Sequence, residues 1–352
     1  MRLASTAITV CIAIALLTGC SGGIPSSAIS SVPSNGGGAT SSSMHHGAPV
    51  SIIPRSDLPK GPVKLHGRRA PTAAIKGIYV ANFLGSTING YMKNNSGNNP
   101  AICQITGVSS VNNVATDTVG NLIVPVAFNG VNVYTGPSMC GPLMATIADS
   151  YGQASDAAAV NAATGNIVVA NILGPGFVVV CTVSSLSCTQ LTPSSAGIGE
   201  VAGVAMDAAG NCYADSYNAA FTAVELTYWA GCGGTGTALA GFLNTGYGGV
   251  DIDNKGNIAT LNWHGSAGTD LWVYSLSGTT LTSVSDNPLT NDTAIFGHIG
   301  KQGQRFVVGA YLFSQVDIYA YTPTTLTYYY SFNNGLGSGD IEGAAYSPSS
   351  KK

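Results

Sequence analysis

The chain has 352 residues, a formal net charge of −3, 45% hydrophobic residues and only 8% charged ones. No basic stripe accompanies that balance, so nucleic acid is not an expected partner. Low charge combined with 46 glycines and many Thr, Ser, Asn and Tyr suits a secreted all-β protein.

The first twenty residues, "MRLASTAITVCIAIALLTGC", read as a targeting segment. Arg2 supplies a short positive region, and Ile8 to Leu17 form an apolar stretch too short to cross a bilayer. Leu17-Thr18-Gly19-Cys20 resembles the bacterial lipobox. That resemblance implies removal of residues 1–19 and acylation of Cys20, which then holds the protein to the membrane through lipid. Ser21 follows where an Asp would resemble an inner-membrane retention signal, so an outer-membrane or surface place in the cell envelope is implied. Residues 20–72, with "SNGGGATSSS" among them, are too poor in apolar surface to offset their ordering entropy and read as a tether. His45 and His46 within it read as solvated. Arg55, Lys60, Lys64, Arg68 and Arg69 leave its end mildly basic.

Residues 73–352 remain for one large domain. Once Cys11 leaves with the signal and Cys20 takes lipid, six cysteines are left: Cys103, Cys140, Cys181, Cys188, Cys212 and Cys232. An even count in an exported domain permits three disulfides. Cys181 and Cys188, in "VCTVSSLSC", face each other across a tight hairpin; the pairing of the other four stays open.

Five stretches align on a glycine turn between two apolar runs: "VNNVATDTVGNLIVPV", "DAAAVNAATGNIVVAN", "VAGVAMDAAGNCYADS", "YGGVDIDNKGNIATLN" and "IFGHIGKQGQRFVVGA". Their turn glycines, Gly120, Gly165, Gly210, Gly256 and Gly303, are spaced by 45, 45, 46 and 47 residues. Each unit carries a small-residue strand ending in Asp or Asn (Asp117, Asn161, Asp207, Asp253), a turn, and a second apolar strand. An alternating third strand such as "VNVYTG" follows, and then a short fourth rich in Thr, Leu and Tyr. Four antiparallel strands in such a span make one β-propeller blade. The final "IEGAAYSPSSKK" is the first half of a unit whose continuation, "KGIYVANFLGSTINGYMK", lies at the start of the domain. A six-bladed propeller closed by pairing of its N- and C-terminal strands is therefore expected, which leaves no open edge; a monomer is expected.

The turn Asp and Asn side chains are expected to bond the turn backbone, with Gly at positive φ. This covers "DIDNKGN" (Asp251 to Asn257), which has a calcium loop's opening but places Lys255 at a ligand position and Asn262 where the closing Glu belongs.

"GVAMDAAGNCYADS" and "GNIVVAN" resemble the repeats of NHL propellers, and "NNSGNNPAICQITG" resembles the outer-strand segment of bacterial relatives. The resemblance runs from Lys76 to Lys352 and implies the fold. It leaves activity open, since such propellers include binding platforms, hydrolases and lyases. The fifth unit departs most, with Gly300 for the Asp and Gln304 for the Asn.

A propeller's usable surface is the mouth of its channel. The repeat register places Asn112, Asn113, Asp156, Glu200, Tyr247, Phe296, Asp340 and Glu342 on the loops leading into the innermost strands. Between strands two and three it places Asn82, Phe83, Phe128, Asn129, Asn171, Asp215, Tyr217, Asn262, Trp263, His264, Tyr311 and Phe313. The favoured reading is a binding or scaffold module without a cofactor. Tyr217, Trp263, Tyr311 and Phe313 would stack on a carbohydrate or peptide, while Asn82, Asn171, Asn262, Asp215 and His264 orient it. The second reading is a hydrolase. "IEGAAYSP" resembles the glutamate-bearing strand of gluconolactonase-type propellers, which implies a Ca²⁺ or Mg²⁺ ion on Glu342 with Asn112 or Asn113 and Asp156. A histidine acid–base site comes last: of His264 and His298, the second falls inside an innermost strand as a satisfied core residue.

Overall fold

The computed structural model describes residues 77–347 except 84, 109–110, 118, 128–129, 137, 150–154, 162–163, 173–174, 265–266, 290–293, 301–303, 311–312 and 337–340, and the side chains of 155–156. The signal segment, Cys20, the tether with its two histidines, Phe128, Asn129, Tyr311 and Asp340 lie outside the described residues.

Twenty-four strands form six four-stranded antiparallel sheets. Blade 1 joins β24 (Ile341–Ser347) to β1 (Gly77–Asn82), β2 (Thr87–Met92) and β3 (Cys103–Thr106). Blade 2 holds β4 (Ala115–Thr116), β5 (Leu122–Val126), β6 (Gly130–Tyr134) and β7 (Leu143–Ile147). Blade 3 holds β8 (Ser155–Val160), β9 (Asn166–Asn171), β10 (Phe177–Thr182) and β11 (Ser187–Gln190). Blade 4 holds β12 (Val201–Met206), β13 (Cys212–Tyr217), β14 (Val224–Trp229) and β15 (Thr237–Ala238). Blade 5 holds β16 (Val250–Ile252), β17 (Ile258–Trp263), β18 (Thr269–Ser277) and β19 (Thr280–Pro288). Blade 6 holds β20 (Gly297–Ile299), β21 (Arg305–Ala310), β22 (Gln315–Thr322) and β23 (Thr325–Phe332).

The ring closes as the split repeat requires. β24 runs antiparallel to β1, from Gly77 opposite Ser347 to Ala81 opposite Gly343, and every residue of β24 is buried. Closure by the chain's own strand removes the open sheet edge that an unfinished blade would present. The outermost strands of blades 1 to 4 are short, as expected, and those of blades 5 and 6 are longer. β15 has two residues, whereas β19 and β23 have nine and eight.

Each seam between adjacent blades carries its own apolar cluster in place of one central core. Val133 and Val169 belong to the cluster between blades 2 and 3, Tyr213 and Tyr274 to that between 4 and 5, and the Tyr91 and Phe332 rings meet between 6 and 1. The cluster between blades 3 and 4 takes in Trp229 and extends to Trp263 and Phe296 near the channel mouth.

The repeat turns are built as their residue types dictate. Asp117 Oδ1 accepts the N–H groups of Val119, Gly120 and Asn121, and its Oδ2 accepts the Asn121 amide. Asp207 and Asp253 hold Asn211 and Asn257 in the same way. Gly120, Gly165, Gly210 and Gly256 all have positive φ, which excludes most side chains there. Asp251 plays no loop-ligand part: its carboxylate accepts the N–H groups of Ile252 and Ile299.

Candidate functional site

In every blade the loop leading into the innermost strand and the loop between strands two and three open on one face, so both contribute to the channel mouth. The asparagine six residues after the turn glycine in blades 3 and 5, and Asn82 at the same register in blade 1, sit at that end of strand two. Asn82 donates to Leu336 O at 2.6 Å and accepts from Gly85 N. Asn171 donates to Asp149 Oδ2 at 3.1 Å. Asn262 Oδ1 accepts the N–H groups of Gly246, at 2.7 Å, and Thr245. Each amide thus ties down the loop entering its own blade, and the three are structural fasteners of the mouth. His264 Nε2 lies 3.0 Å from both Asp270 Oδ2 and Asn262 Nδ2, at the rim of blade 5.

The aromatic residues converge at the seam between blades 4 and 5. Trp263 ends β17, and its ring meets Tyr247 edge-on at 6.4 Å. Tyr247 packs at 5.0 Å on Tyr217, which ends β13. Tyr217 in turn lies 6.1 Å from Phe221. Trp263 and Tyr247 are buried, Tyr217 is half-buried and Phe221 is 48% exposed, so the series rises from the core to solvent. Phe221 was not among the sequence candidates. Its φ of 55° is strained for a phenylalanine. The loop holds it there through Phe221 N to Asn218 O and Thr222 N to Asn218 Oδ1. A Cβ at Gly199 would come within about 3.0 Å of the Phe221 ring, so that glycine lets the ring lie across the lead-in to β12. Its only sequence signal was its place in "YNAAFTAV", a loop between strands two and three.

Glu200 stands at the foot of this series. Tyr217 N donates to Glu200 O and Gly199 N to Tyr217 O, which extends the β12–β13 ladder and sets Glu200 opposite Tyr217. Its buried carboxyl accepts the Tyr247 hydroxyl at 2.8 Å. Burial pushes its pKa from 4.5 up to about 7, against the opposing hydrogen bond from Tyr247. Near neutral pH the group can therefore either accept or donate a hydrogen bond. Asp215, on the second strand of the blade, is fully buried, and burial holds its carboxyl well above the ordinary range while Gly248 N donates to Oδ2 at 3.4 Å. Asp215 is sealed within the seam. Phe313, 52% exposed, stands on the equivalent loop of blade 6.

The expected cation ligands are brought together in part. Glu342 is buried on β24, and a Cβ on its neighbour Gly343 would fall 2.7 Å from Asn112 O and Asn113 Cα, so the two lead-in segments touch. Asn113 Oδ1, however, accepts Val114 N at 2.8 Å and faces His298 Nε2 at 3.2 Å. The Asp156 side chain lies outside the described residues. Among the described residues no group of three or more His, Cys, Asp or Glu gathers as a metal site. Ca²⁺ takes six to eight oxygens, so a cation here would draw on Glu342, an asparagine amide, backbone carbonyls and water together. His298 Nδ1 lies 3.7 Å from Asp251 Oδ2, so the histidine joins blades 5, 6 and 2.

No family model matches the chain, and no curated protein matches it in sequence. Solved structures do match. The periplasmic gluconolactonase of Pseudomonas aeruginosa is similar over 78% of this chain and 99% of its own, at 14% identity and a TM-score of 0.51. A functionally unknown protein from Desulfotomaculum acetoxidans is similar over 74% and 80%, at 13% identity and 0.52. A protein from Lactobacillus plantarum is similar over 61% and 67%, at 16% identity and 0.45. At these identities the first two likenesses bear on the propeller fold alone.

Proposed function

We propose that this propeller is an exported, lipid-anchored binding module that holds a carbohydrate at the blade 4 side of its channel mouth. The observation that carries the reading is the series Trp263–Tyr247–Tyr217–Phe221 rising to solvent beside Glu200. Exposed aromatic faces stack on the C–H faces of sugars, and a carboxyl that both donates and accepts suits hydroxyl groups. Export is supported by the Leu17 to Cys20 pattern and by three disulfides among the described residues, which fit an oxidising compartment. Cys20 would then carry the lipid.

Hydrolysis at a Ca²⁺ or Mg²⁺ ion is the weaker reading. It rests on Glu342 being buried in an innermost strand, and Asn113 Oδ1 is already engaged elsewhere.

The test is binding of neutral oligosaccharides, scored on an array and then by calorimetry, for the parent and for Phe221→Ala. Truncating an exposed stacking ring is expected to weaken binding by about tenfold while the melting temperature stays within a degree or two. Equal affinity of the two proteins, or no saturable binding of any oligosaccharide, would sink the reading.

A further inference from the structure

A second concave site lies at the other end of the ring, where blades 6 and 1 meet. Arg305 opens β21, Lys93 follows the end of β2, and Tyr346 is near the end of β24, so the site is at the end opposite the channel mouth. It is a cavity of about 280 Å³ lined by Lys93, Asn94, Ser96, Arg305, Tyr329, Tyr330 and Tyr346. Among the described residues no carboxylate lines it.

Two features single it out. The described residues hold three Lys or Arg side chains, Lys93, Lys255 and Arg305, and two of them converge here in a chain that is net negative. Neither is within ion-pair distance of a carboxylate among the described residues, where the ion pairs are those of His264 and His298. The second feature is rigidity. The Arg305 guanidinium lies 4.4 Å over the Tyr329 ring, and its Nη1 donates to Gln304 O. The Tyr329 and Tyr330 rings lie 5.2 Å apart with their planes tilted by 58°. A planar cation already seated on a ring loses little freedom when it binds, and its remaining N–H groups suit a planar or tetrahedral oxyanion. Burial pushes the hydroxyls of Tyr330 and Tyr346 upward, so both remain neutral phenols. The volume lies just below the range of drug-sized pockets and suits a single ring.

We propose that this cleft binds an acidic sugar, one ring carrying a carboxylate or phosphate. The anion meets Arg305 and Lys93, and the ring lies among the tyrosines with Asn94 and Ser96 on its hydroxyls. The site is independent of the channel mouth, and either can fail without the other.

The experiment is calorimetric titration of the whole protein with glucuronate, glucose-6-phosphate, glucose and inorganic phosphate. Glucuronate or glucose-6-phosphate is expected to bind at least about tenfold more tightly than glucose, and the sugar phosphate to exceed inorganic phosphate by a similar factor. Arg305→Gln should cut acidic-sugar affinity about tenfold and Lys93→Gln several-fold, with Lys255→Gln, which removes a cation that does not line the cleft, unchanged. Melting curves establish that each variant is folded. The proposal is overturned if neither acidic sugar binds saturably at millimolar concentration. It is equally overturned if glucose or inorganic phosphate matches its acidic-sugar counterpart, or if Lys255→Gln weakens binding as much as Arg305→Gln does.

Discussion

The Tyr247 hydroxyl donates to Glu200 Oε1 at 2.8 Å across the seam between blades 4 and 5, where burial outweighs this bond in setting how the carboxyl titrates. Burial raises the Glu200 pKa to about 7, so the folded state holds a proton that the unfolded chain gives up near 4.5. Between those values the folded state carries more protons, and stability falls as pH rises through the window. The contribution is complete below about pH 4.5 and gone above about pH 7, and its upper bound is about 3 kcal/mol. Glu200→Gln keeps an acceptor for Tyr247 and removes the titration. Its melting temperature should change less than the parent's between pH 4.5 and 7 and should exceed the parent's at pH 8. Asp215, also raised, adds a slope of the same sign that this variant retains. If parent and variant trace parallel curves, Glu200 is not the titrating group.

Ring closure gives a sharper expectation. β24 is buried throughout, and Ile341, Ala344 and Tyr346 pack into the seam with blade 6. Burying side chains such as Ile341 and Tyr346 contributes about 1.5–3 kcal/mol each, so losing the strand removes stability comparable to that of a whole domain. A chain ending at residue 340 should show no cooperative melting transition, and a near-normal transition would refute closure. Gly343→Ala tests the same contact more gently. Its Cβ would sit 2.7 Å from Asn112 O and Asn113 Cα, and the strain should cost about 1–3 kcal/mol in a denaturant titration.

The contrast between fold and site has a physical origin. Blade number, turn chemistry and closure were legible because Gly120, Gly165, Gly210 and Gly256 repeat a backbone requirement that few residues meet, at fixed spacing. Asn82, Asn171 and Asn262 share one register position, but the sequence does not say whether an amide there serves a ligand or a loop. That depends on how far the next loop folds back, as Leu336 and Gly246 do. Phe221 and the Lys93–Arg305 cleft were illegible for a related reason. The first depends on a strained φ, and the second joins residues more than two hundred positions apart through closure of the ring.

The asparagine fasteners can be tested singly. Asn262→Ala removes the acceptor of the buried Gly246 N–H and of Thr245 N. An unsatisfied buried donor costs about 1–3 kcal/mol, so the variant should unfold at correspondingly lower denaturant. Its effect on carbohydrate binding should be smaller than that of Phe221→Ala, because the amide faces the loop. A variant of parental stability that has lost binding would reverse this assignment and make Asn262 a ligand contact.

The three disulfides should differ in worth. Cys181–Cys188 spans a separation of 7 residues within one hairpin, where the two cysteines already face each other in the ladder. Cys103–Cys140 spans 37 and crosses from β3 of blade 1 to the loop before β7 of blade 2, fastening the seam next to the ring's closure. Closing the longer loop restricts the unfolded chain more, by about 1.5 kcal/mol in the chain-entropy account. Replacing Cys103 and Cys140 with serine should therefore lower the melting temperature clearly more than replacing Cys181 and Cys188. Cys212–Cys232, with a separation of 20 inside blade 4, should fall between them. An inverted order in non-reducing melts would show that packing around each bridge, and not loop length, sets its contribution.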